Sequence, residues 1–189
     1  MFVFISGAAR SGKSNWAERC AARLDGGPKG SKIYLATARV PDQEMRRRVA
    51  LHQSARRGRG FATLECITNL QSVVPLISGA TVLLECLGTW TANELFDDRG
   101  RMADPDGAFE KIRSTCRLLR ESAAHLLIVS NDIFSDGTAY AGETEEYRRV
   151  LGTLHICLAA ESDMAVECAA GFAAVHKGKK YASMLDRNA

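Results

Sequence analysis

The stretch FVFISGAARSGKS, residues 2–14, decides the fold class of this chain. Residues 2–6 form an apolar run of strand length, and residues 7–14 then read GxxxxGKS. In this pattern the glycines let backbone N–H groups turn inward around a polyphosphate, the lysine reaches the β- and γ-phosphates, and the serine hydroxyl can ligate Mg²⁺. A helix predicted from Asn15 would add its positive N-terminal dipole. The stretch therefore predicts a nucleotide-binding strand, loop and helix, with Lys13 exposed to its ligand.

The rest of the composition is that of an ordinary globular protein. A length of 189 residues with 46% hydrophobic and 25% charged residues predicts one domain over residues 1–180 and a frayed tail at 181–189. No apolar run approaches the length that crosses a bilayer, and no export-signal pattern precedes the loop, so we expect a cytoplasmic protein without stable membrane insertion. The net charge of +3 is too small to indicate nucleic acid. The six cysteines lack a CxxC pair, which favours reduced thiols over a zinc site.

Apolar runs of strand length recur along the chain and alternate with helical patterns. The predicted strands are residues 2–6, 32–37, 62–66, 81–86, 126–131 and 164–170. Near-continuous hydrophobic strands separated by helices are typical of a parallel sheet that is covered on both faces. We therefore predict an α/β fold with three layers and a mainly parallel central sheet. Ligands of such sheets bind beyond the carboxyl ends of the strands.

Two carboxylates end predicted strands and are candidates for the metal. A phosphate loop requires a carboxylate at a neighbouring strand end to hold Mg²⁺, and Glu85 closes the apolar run at residues 81–84. A buried carboxylate needs a cation or hydrogen-bond donors, so Glu85 is interpreted as metal-linked together with Ser14, or else as a structural partner. Glu65 ends the preceding strand in the same way. An edge position would leave Glu65 simply solvated.

His52 is the candidate nucleophile. It follows Met45 and Val49 at helical spacing, which places the three side chains on one face of a predicted helix. Taken alone, such a histidine is more often structural than catalytic. The arginines at residues 56–57 and 59 could grip a triphosphate near the end of that helix, or belong to a solvated loop. The following side chains lack comparable neighbours and are interpreted as structural or packing residues: His125, His155, His176, Trp16 and Trp90.

Several segments together resemble the bifunctional adenosylcobinamide kinase and adenosylcobinamide-phosphate guanylyltransferase family. The resemblance covers roughly residues 1–180. The segments that carry it are the phosphate loop at 7–14, YLAT at 34–37, EM at 44–45, RV at 48–49, His52, RR at 56–57, TLE at 63–65, LLECL at 83–87 with Thr89, Trp90 and Asn93, and VSN at 129–131. Asp132 and Phe134 stand where the family usually has glutamate and glycine, and His155 stands where asparagine is common. Phenylalanine in place of glycine reduces backbone freedom where a loop could close on the substrate, so the resemblance does not define the corrinoid specificity of this chain.

The resemblance implies a RecA-like nucleotide-binding fold, assembly as a homotrimer, and two reactions. In the first, adenosylcobinamide is phosphorylated with ATP or GTP, and Lys13 acts on the transferred group. In the second, GMP passes from GTP through the histidine at the His52 position to adenosylcobinamide phosphate. The residues that the resemblance assigns to nucleotide binding are Gly7, Ala8, Ala9, Arg10, Ser11, Gly12, Lys13, Ser14, Ala36, Thr37, Ala38, Gln53, Ser54, Ala55, Arg56, Glu65 and Glu85.

Two other functions remain compatible with the residues themselves. A plain P-loop kinase of a small molecule would use the phosphate loop and leave His52 structural. A nucleotide-binding regulatory protein would keep the loop without catalysing any transfer. The first forms no stable nucleotide adduct, and the second binds GTP without turning it over on a corrinoid.

Overall fold

Seven strands and four α-helices make up the part of the chain that the computed structural model describes, which is residues 1–24, 31–39, 60–135 and 137–181. The strands are β1 (Phe2–Gly7), β2 (Lys32–Ala36), β3 (Phe61–Glu65), β4 (Thr81–Glu85), β5 (His125–Asn131), β6 (Met164–Ala169) and β7 (Phe172–Lys177). The helices are α1 (Lys13–Arg23), α2 (Leu87–Leu95), α3 (Pro105–Ser122) and α4 (Glu143–Glu161), and a 3₁₀ helix spans Leu70–Ile77.

The strands form one sheet in the order β3-β2-β4-β5-β1-β6-β7. All neighbouring pairs are parallel except β6 and β7, which are antiparallel. The predicted α/β fold with a mainly parallel sheet is therefore confirmed, and each of the six predicted strands is present with bounds that differ by a residue or so. The edge strand β7 was not predicted. One consequence of the order is that β5 separates β1, which carries the phosphate loop, from β4, which carries Glu85.

Two hydrophobic clusters fill the spaces above and below the sheet. Successive side chains of a strand point to opposite faces, so Val82 and Leu84 enter one cluster while Leu83 enters the other. Helix α1 covers the face of Leu83 through Trp16 and its neighbours. Helices α2, α3 and α4 cover the opposite face, where Trp90 is fully buried. The predicted three layers are thus present, and both tryptophans are packing residues as predicted.

Helix α4 spans the residues at which the sequence shows an amphipathic pattern. Its buried side chains are Val150, Leu151, Leu154 and Leu158, which recur at helical spacing. None of the helices in the described ranges is both long and apolar enough to cross a membrane.

Candidate active site

The phosphate loop, residues 7–14, joins β1 to α1 and needs glycine at two positions. A Cβ atom on Gly7 would lie 2.4 Å from the carbonyl oxygen of Cys168 and 2.6 Å from Oγ of Ser11. Gly12 has a φ of 91°, in the left-handed region that favours glycine. Helix α1 begins at the next residue, so its free N–H groups lie beside the loop. The loop therefore has the backbone of an anion-binding site.

Lys13 is buried rather than exposed, which corrects the expectation from the sequence. Its side chain opens α1, the residue is only 7% exposed, and its Nζ donates a hydrogen bond of 3.1 Å to the carbonyl oxygen of Ala8. A buried ammonium requires acceptors, and within the loop this carbonyl supplies one. The contact holds the charge of Lys13 inside the curve of the loop.

Ser14 and Glu85 form the contact that joins the loop to the neighbouring part of the sheet. The hydroxyl of Ser14 donates to Oε1 of Glu85, across the intervening strand β5. Oε2 of Glu85 is buried and has no hydrogen-bond partner among the described residues. A buried carboxylate oxygen without a partner costs free energy, and Mg²⁺ prefers such oxygen ligands. The donor set therefore fits a divalent cation.

The further ligands of such a cation would be phosphate oxygens and water. Across residues 1–24, 31–39, 60–135 and 137–181, no three His, Cys, Asp or Glu side chains converge on one point. Magnesium usually binds through one or two carboxylates and completes its shell with phosphate oxygens and water. Ser14 and Glu85 match that arrangement, provided that a nucleotide lies in the loop.

Residues 36–38 lie directly beside Glu85 because β2 and β4 are neighbours. The backbone N–H of Thr37 donates to the carbonyl oxygen of Glu85 at 3.0 Å. The Thr37 hydroxyl accepts from the N–H of Cys86 and donates to its carbonyl oxygen, both at 2.9 Å. Thr37 is fully buried, whereas Ala36 and Ala38 are half-buried. The structure thus brings this predicted segment to the same edge of the sheet as the phosphate loop.

Glu65 lies at the rim of the site rather than in its centre. Ala36 pairs in register with both Glu65 and Glu85, so the Cα atoms of the two glutamates are about 10 Å apart. Strand β3 is the edge of the sheet, and the side chain of Glu65 is exposed. Glu65 does not take part in the Ser14 contact, which leaves it as a candidate for a more distant part of the nucleotide.

Sequence reasoning missed a partly buried pair, His155 and Ser130, which lies next to the strand end that leads into the loop. Nε2 of His155 is 2.7 Å from Oγ of Ser130, and its ring lies edge-on to Phe4 and Phe134. Burial lowers the pKa of His155 to about 4, although the charge of Asp132 acts in the opposite direction. The imidazole is therefore neutral near pH 7, and it packs against the rings of Phe4 and Phe134. What the sequence did not show is the link from α4 to the strand end beside Gly7.

Asn93 is a second residue that sequence reasoning did not place. Its Nδ2 donates to the carbonyl oxygen of Thr37 at 2.8 Å and to that of Ile67 at 3.0 Å, which ties the ends of β2 and β3 together. Helix α2, which carries Asn93, begins after Cys86, whose Sγ accepts from the N–H of Thr89. Burial raises the pKa of the Cys86 thiol, so this sulfur is protonated at neutral pH. The sequence signal that could have indicated this arrangement is the presence of Thr89 and Asn93 among the segments that carry the family resemblance.

The remaining predicted site residues lie outside the described residues. They are His52, Gln53, Ser54, Ala55 and Arg56. The predicted helix that carries His52 and most of the predicted tail, residues 182–189, are likewise outside the described ranges. The described site therefore consists of the phosphate loop, residues 36–38, Glu65 and Glu85.

A phosphate loop between β1 and α1, with a carboxylate two strands away on a parallel sheet, defines a P-loop nucleotide-binding protein. A sequence profile described as "Cobinamide kinase / cobinamide phosphate guanyltransferase" matches residues 3–175. The match extends over most of the chain, which belongs to this family.

Individual relatives agree with the profile. The chain is 34% identical over 179 residues to the bifunctional adenosylcobalamin biosynthesis protein CobP of Pseudomonas aeruginosa, covering 93% of this chain and 96% of that protein. It is 28% identical over 174 residues to the bifunctional adenosylcobalamin biosynthesis protein CobU of Escherichia coli, covering 86% and 92%. Among solved structures, a KaiC-like protein of Pyrococcus horikoshii matches with a TM-score of 0.44 and 11% identity over 88% of this chain and 69% of that one.

Proposed function

We propose that this chain is a bifunctional transferase of cobalamin biosynthesis. It phosphorylates adenosylcobinamide with ATP or GTP, and it then transfers GMP from GTP to adenosylcobinamide phosphate, which gives adenosylcobinamide-GDP. The observation that carries the proposal is the Ser14–Glu85 contact with its unpartnered carboxylate oxygen beside Lys13, in a chain whose family has these two activities in its description.

In the kinase step, the polyphosphate binds to the N–H groups of the loop and of the start of α1. The substrate hydroxyl attacks the γ-phosphorus, the bond from that phosphorus to the bridging oxygen breaks, and the products are a phosphate ester, a nucleoside diphosphate and a proton. Lys13 stabilises the negative charge that spreads over the transferred oxygens. When bound to Ser14 and Glu85, Mg²⁺ would supply further neutralisation of the phosphate charge.

In the guanylyl step, a neutral nitrogen of His52 attacks the α-phosphorus of GTP. A P–N bond forms, and the bond to pyrophosphate breaks. A phosphate oxygen of adenosylcobinamide phosphate then attacks the same phosphorus, the P–N bond breaks, and His52 is regenerated. Imidazole suits this work because it is nucleophilic when neutral near pH 7. Residues 36–38, residues 53–56 and Glu65 are proposed to bind the nucleotide in these steps.

The decisive experiment is mass measurement of the intact protein after incubation with GTP and Mg²⁺ in the absence of corrinoid. We expect a covalent GMP adduct that is labile in acid and stable in base, as a phosphoramidate is. The His52→Ala variant should lose the adduct and guanylyl transfer but retain nucleotide binding. His125→Ala and His176→Ala serve as matched controls that keep the adduct.

Two results would overturn the guanylyl mechanism. One is an adduct that persists in His52→Ala. The other is a wild-type protein that phosphorylates adenosylcobinamide and never carries GMP, which is the behaviour of a plain P-loop kinase. Binding of GTP with neither adduct nor turnover would instead identify a nucleotide-binding regulatory protein.

We also propose that the chain works as a cytoplasmic homotrimer. The support is the family resemblance, together with the edge strand β7, which has no further strand beside it among the described residues and where Phe172 is 81% exposed. Exposed strand edges are surfaces on which chains associate. Sedimentation equilibrium should give three times the chain mass of 20.6 kDa. A mass equal to that of one chain would contradict the trimer without affecting the proposed chemistry.

A further inference from the structure

A cleft of about 570 Å³ opens at the carboxyl edge of the sheet, beyond the ends of β2 and β3. Arg39 lines it from the end of β2 and Thr68 from the end of β3. The end of α2 and the turn that follows it, which is closed by a bridge between Phe96 and Met102, form the other walls. This volume is within the range of sites for small ligands. None of the steps proposed above uses these walls.

The cleft is connected to the backbone of Glu85 by two hydrogen bonds. Asn93, which lines the cleft, donates to the carbonyl oxygen of Thr37, and the N–H of Thr37 donates to the carbonyl oxygen of Glu85. Along the strand order β1, β5, β4, β2, β3, the phosphate loop comes first, Glu85 follows, and the cleft comes last. An acceptor must approach the γ-phosphate from the side opposite the bond that breaks. The cleft lies on the side of Glu85 that is away from the loop, next to the place where the nucleotide is proposed to bind.

The walls carry both signs of charge, and the opposite charges lie in pairs. Two arginines face three carboxylates, and the pairs are Arg39 with Asp98 and Arg101 with Asp97, the latter at 2.7 Å. Hydrogen bonds from the backbone and side chain of Arg101 lower the pKa of Asp97. Asp97 is therefore ionised at neutral pH. Because both lining arginines are already paired with carboxylates, the described walls offer no free cation to a triphosphate, and the cleft favours a ligand without anionic groups.

Glu94 keeps its charge although it lies deeper in the wall. Burial by itself would raise its pKa, but hydrogen bonds from Lys111, from the backbone of Asn69 and from Trp90 outweigh that effect and lower the pKa. The side chain of Lys111 contacts Glu94 at 2.7 Å. The walls thus present charged donors and acceptors side by side, with Phe96 and Met102 as apolar surface. Carboxamides, which donate and accept hydrogen bonds without carrying charge, match such walls.

We infer that this cleft binds one rim of the acceptor substrate, a corrinoid whose ring edge carries uncharged carboxamides, and that the hydroxyl-bearing arm extends from it toward Glu85. The inference rests on the proposed function, because that function requires an acceptor beside the phosphate loop. A cleft of this volume holds part of a corrinoid rather than all of it, so the rest of the ring lies outside the cleft.

The test fills the cleft and measures corrinoid binding directly. Ala103 is exposed and lines the cleft, and its backbone N–H bonds to Leu95 in a way that any side chain allows. In equilibrium dialysis with adenosylcobinamide, Ala103→Trp should raise Kd about tenfold or more, which corresponds to the loss of one good polar contact or its equivalent. Arg101→Gln should raise Kd roughly threefold to tenfold.

A matched control removes an arginine on helix α3 that does not line the cleft. Arg117 pairs with Glu161 at 3.7 Å, and Arg117→Gln should leave corrinoid Kd unchanged. In all three variants, the KM for GTP and the GMP adduct formed without corrinoid should match those of the wild type.

The outcomes separate this inference from the proposed function. If corrinoid Kd is unchanged in both Ala103→Trp and Arg101→Gln and both transfers are intact, the assignment of the cleft to the corrinoid is overturned and the proposed function stands. A rise in the KM for GTP that equals the rise in corrinoid Kd would overturn it in favour of a nucleoside subsite. If the wild type binds adenosylcobinamide, Ala103→Trp does not, and neither group transfer occurs, the cleft is supported and the proposed function is overturned.

Discussion

The hydroxyl of Ser14 donates a hydrogen bond to Oε1 of Glu85 and so joins the first turn of α1 to the end of β4 across the intervening strand β5. The other oxygen of the same carboxylate is buried and has no partner among the described residues. The two groups proposed to hold the cation therefore contact each other in the protein alone. Binding of a metal–nucleotide complex would not require the backbone to bring them together, which is how preorganised sites gain affinity.

Glu85→Gln should weaken the Mg²⁺-dependent part of GTP binding roughly tenfold to a hundredfold. The glutamine keeps the shape of the side chain and can still accept from Ser14, but it removes the charge that a hard cation requires. Isothermal titration of GTP with and without Mg²⁺ measures the effect. Glu65→Gln is the matched control, because that carboxylate is exposed on the edge strand, and it should keep most of the Mg²⁺ enhancement. Full enhancement in Glu85→Gln would make Glu85 a structural residue.

Lys13→Ala should lower kcat/KM of the kinase step. The expected loss of transition-state stabilisation is about 3 to 5 kcal/mol, the range for a preorganised electrostatic contact. The variant also removes the donor of the Ala8 carbonyl, so a stability loss of about 1 kcal/mol is expected in urea unfolding. Lys32→Ala is the control, since Nζ of Lys32 likewise donates to a backbone carbonyl, that of Ala22 at 3.0 Å. That variant should lose comparable stability and no catalysis. Wild-type kcat/KM in a folded Lys13→Ala would contradict the role given to the loop.

Much of the fold could be predicted because the strands are buried on both faces. Strands such as β4 and β5 have a central run of buried apolar residues, and such runs are recognisable without knowledge of their neighbours. Strand β7 could not be recognised in this way. Its residues are mostly exposed, and it is a strand only because its backbone pairs with β6. A single sequence holds no signal for that pairing.

The site could be predicted only in part, because some of its features are local in sequence and others depend on the order of the strands. The phosphate loop is a local pattern, and Glu85 follows from the position of a strand end. The Ser130–His155 pair and the double contact of Asn93 join elements that are distant along the chain, so they depend on the order of the strands. The burial of Lys13 was missed because the curve of the loop, rather than the residue type, determines how much solvent reaches the side chain.

Gly7→Ala should destabilise the protein by more than 1 kcal/mol and reduce nucleotide binding together with it. The added Cβ would lie 2.4 Å from a backbone oxygen of Cys168, so β6 or the loop would have to move. Gly152→Ala within α4 is the matched control. Its Cβ would meet the ring of Phe134 at 3.4 Å, and alanine favours the helix, so its effect on the free energy of unfolding should be small. Urea unfolding and GTP titration of both variants measure the difference. Equal stabilities would show that the loop can shift without cost.

The burial of His155 should make the protein less stable in acid. Its pKa is about 4 in the folded state, whereas the ordinary histidine value is 6.5, so the unfolded chain binds more protons between these two values. The free energy of unfolding therefore falls as the pH is lowered from 6.5 toward 4, by about 3 kcal/mol from this residue.

His155→Asn keeps a side chain that can bond to Ser130 and does not titrate, so its unfolding free energy should change less between pH 7 and about pH 4.5. His176→Asn is the control, because the imidazole of His176 is exposed beside Glu167, and this variant should keep the wild-type slope. Urea unfolding at the two pH values measures the three slopes. A slope in His155→Asn as steep as that of the wild type would show that other groups cause the acid sensitivity.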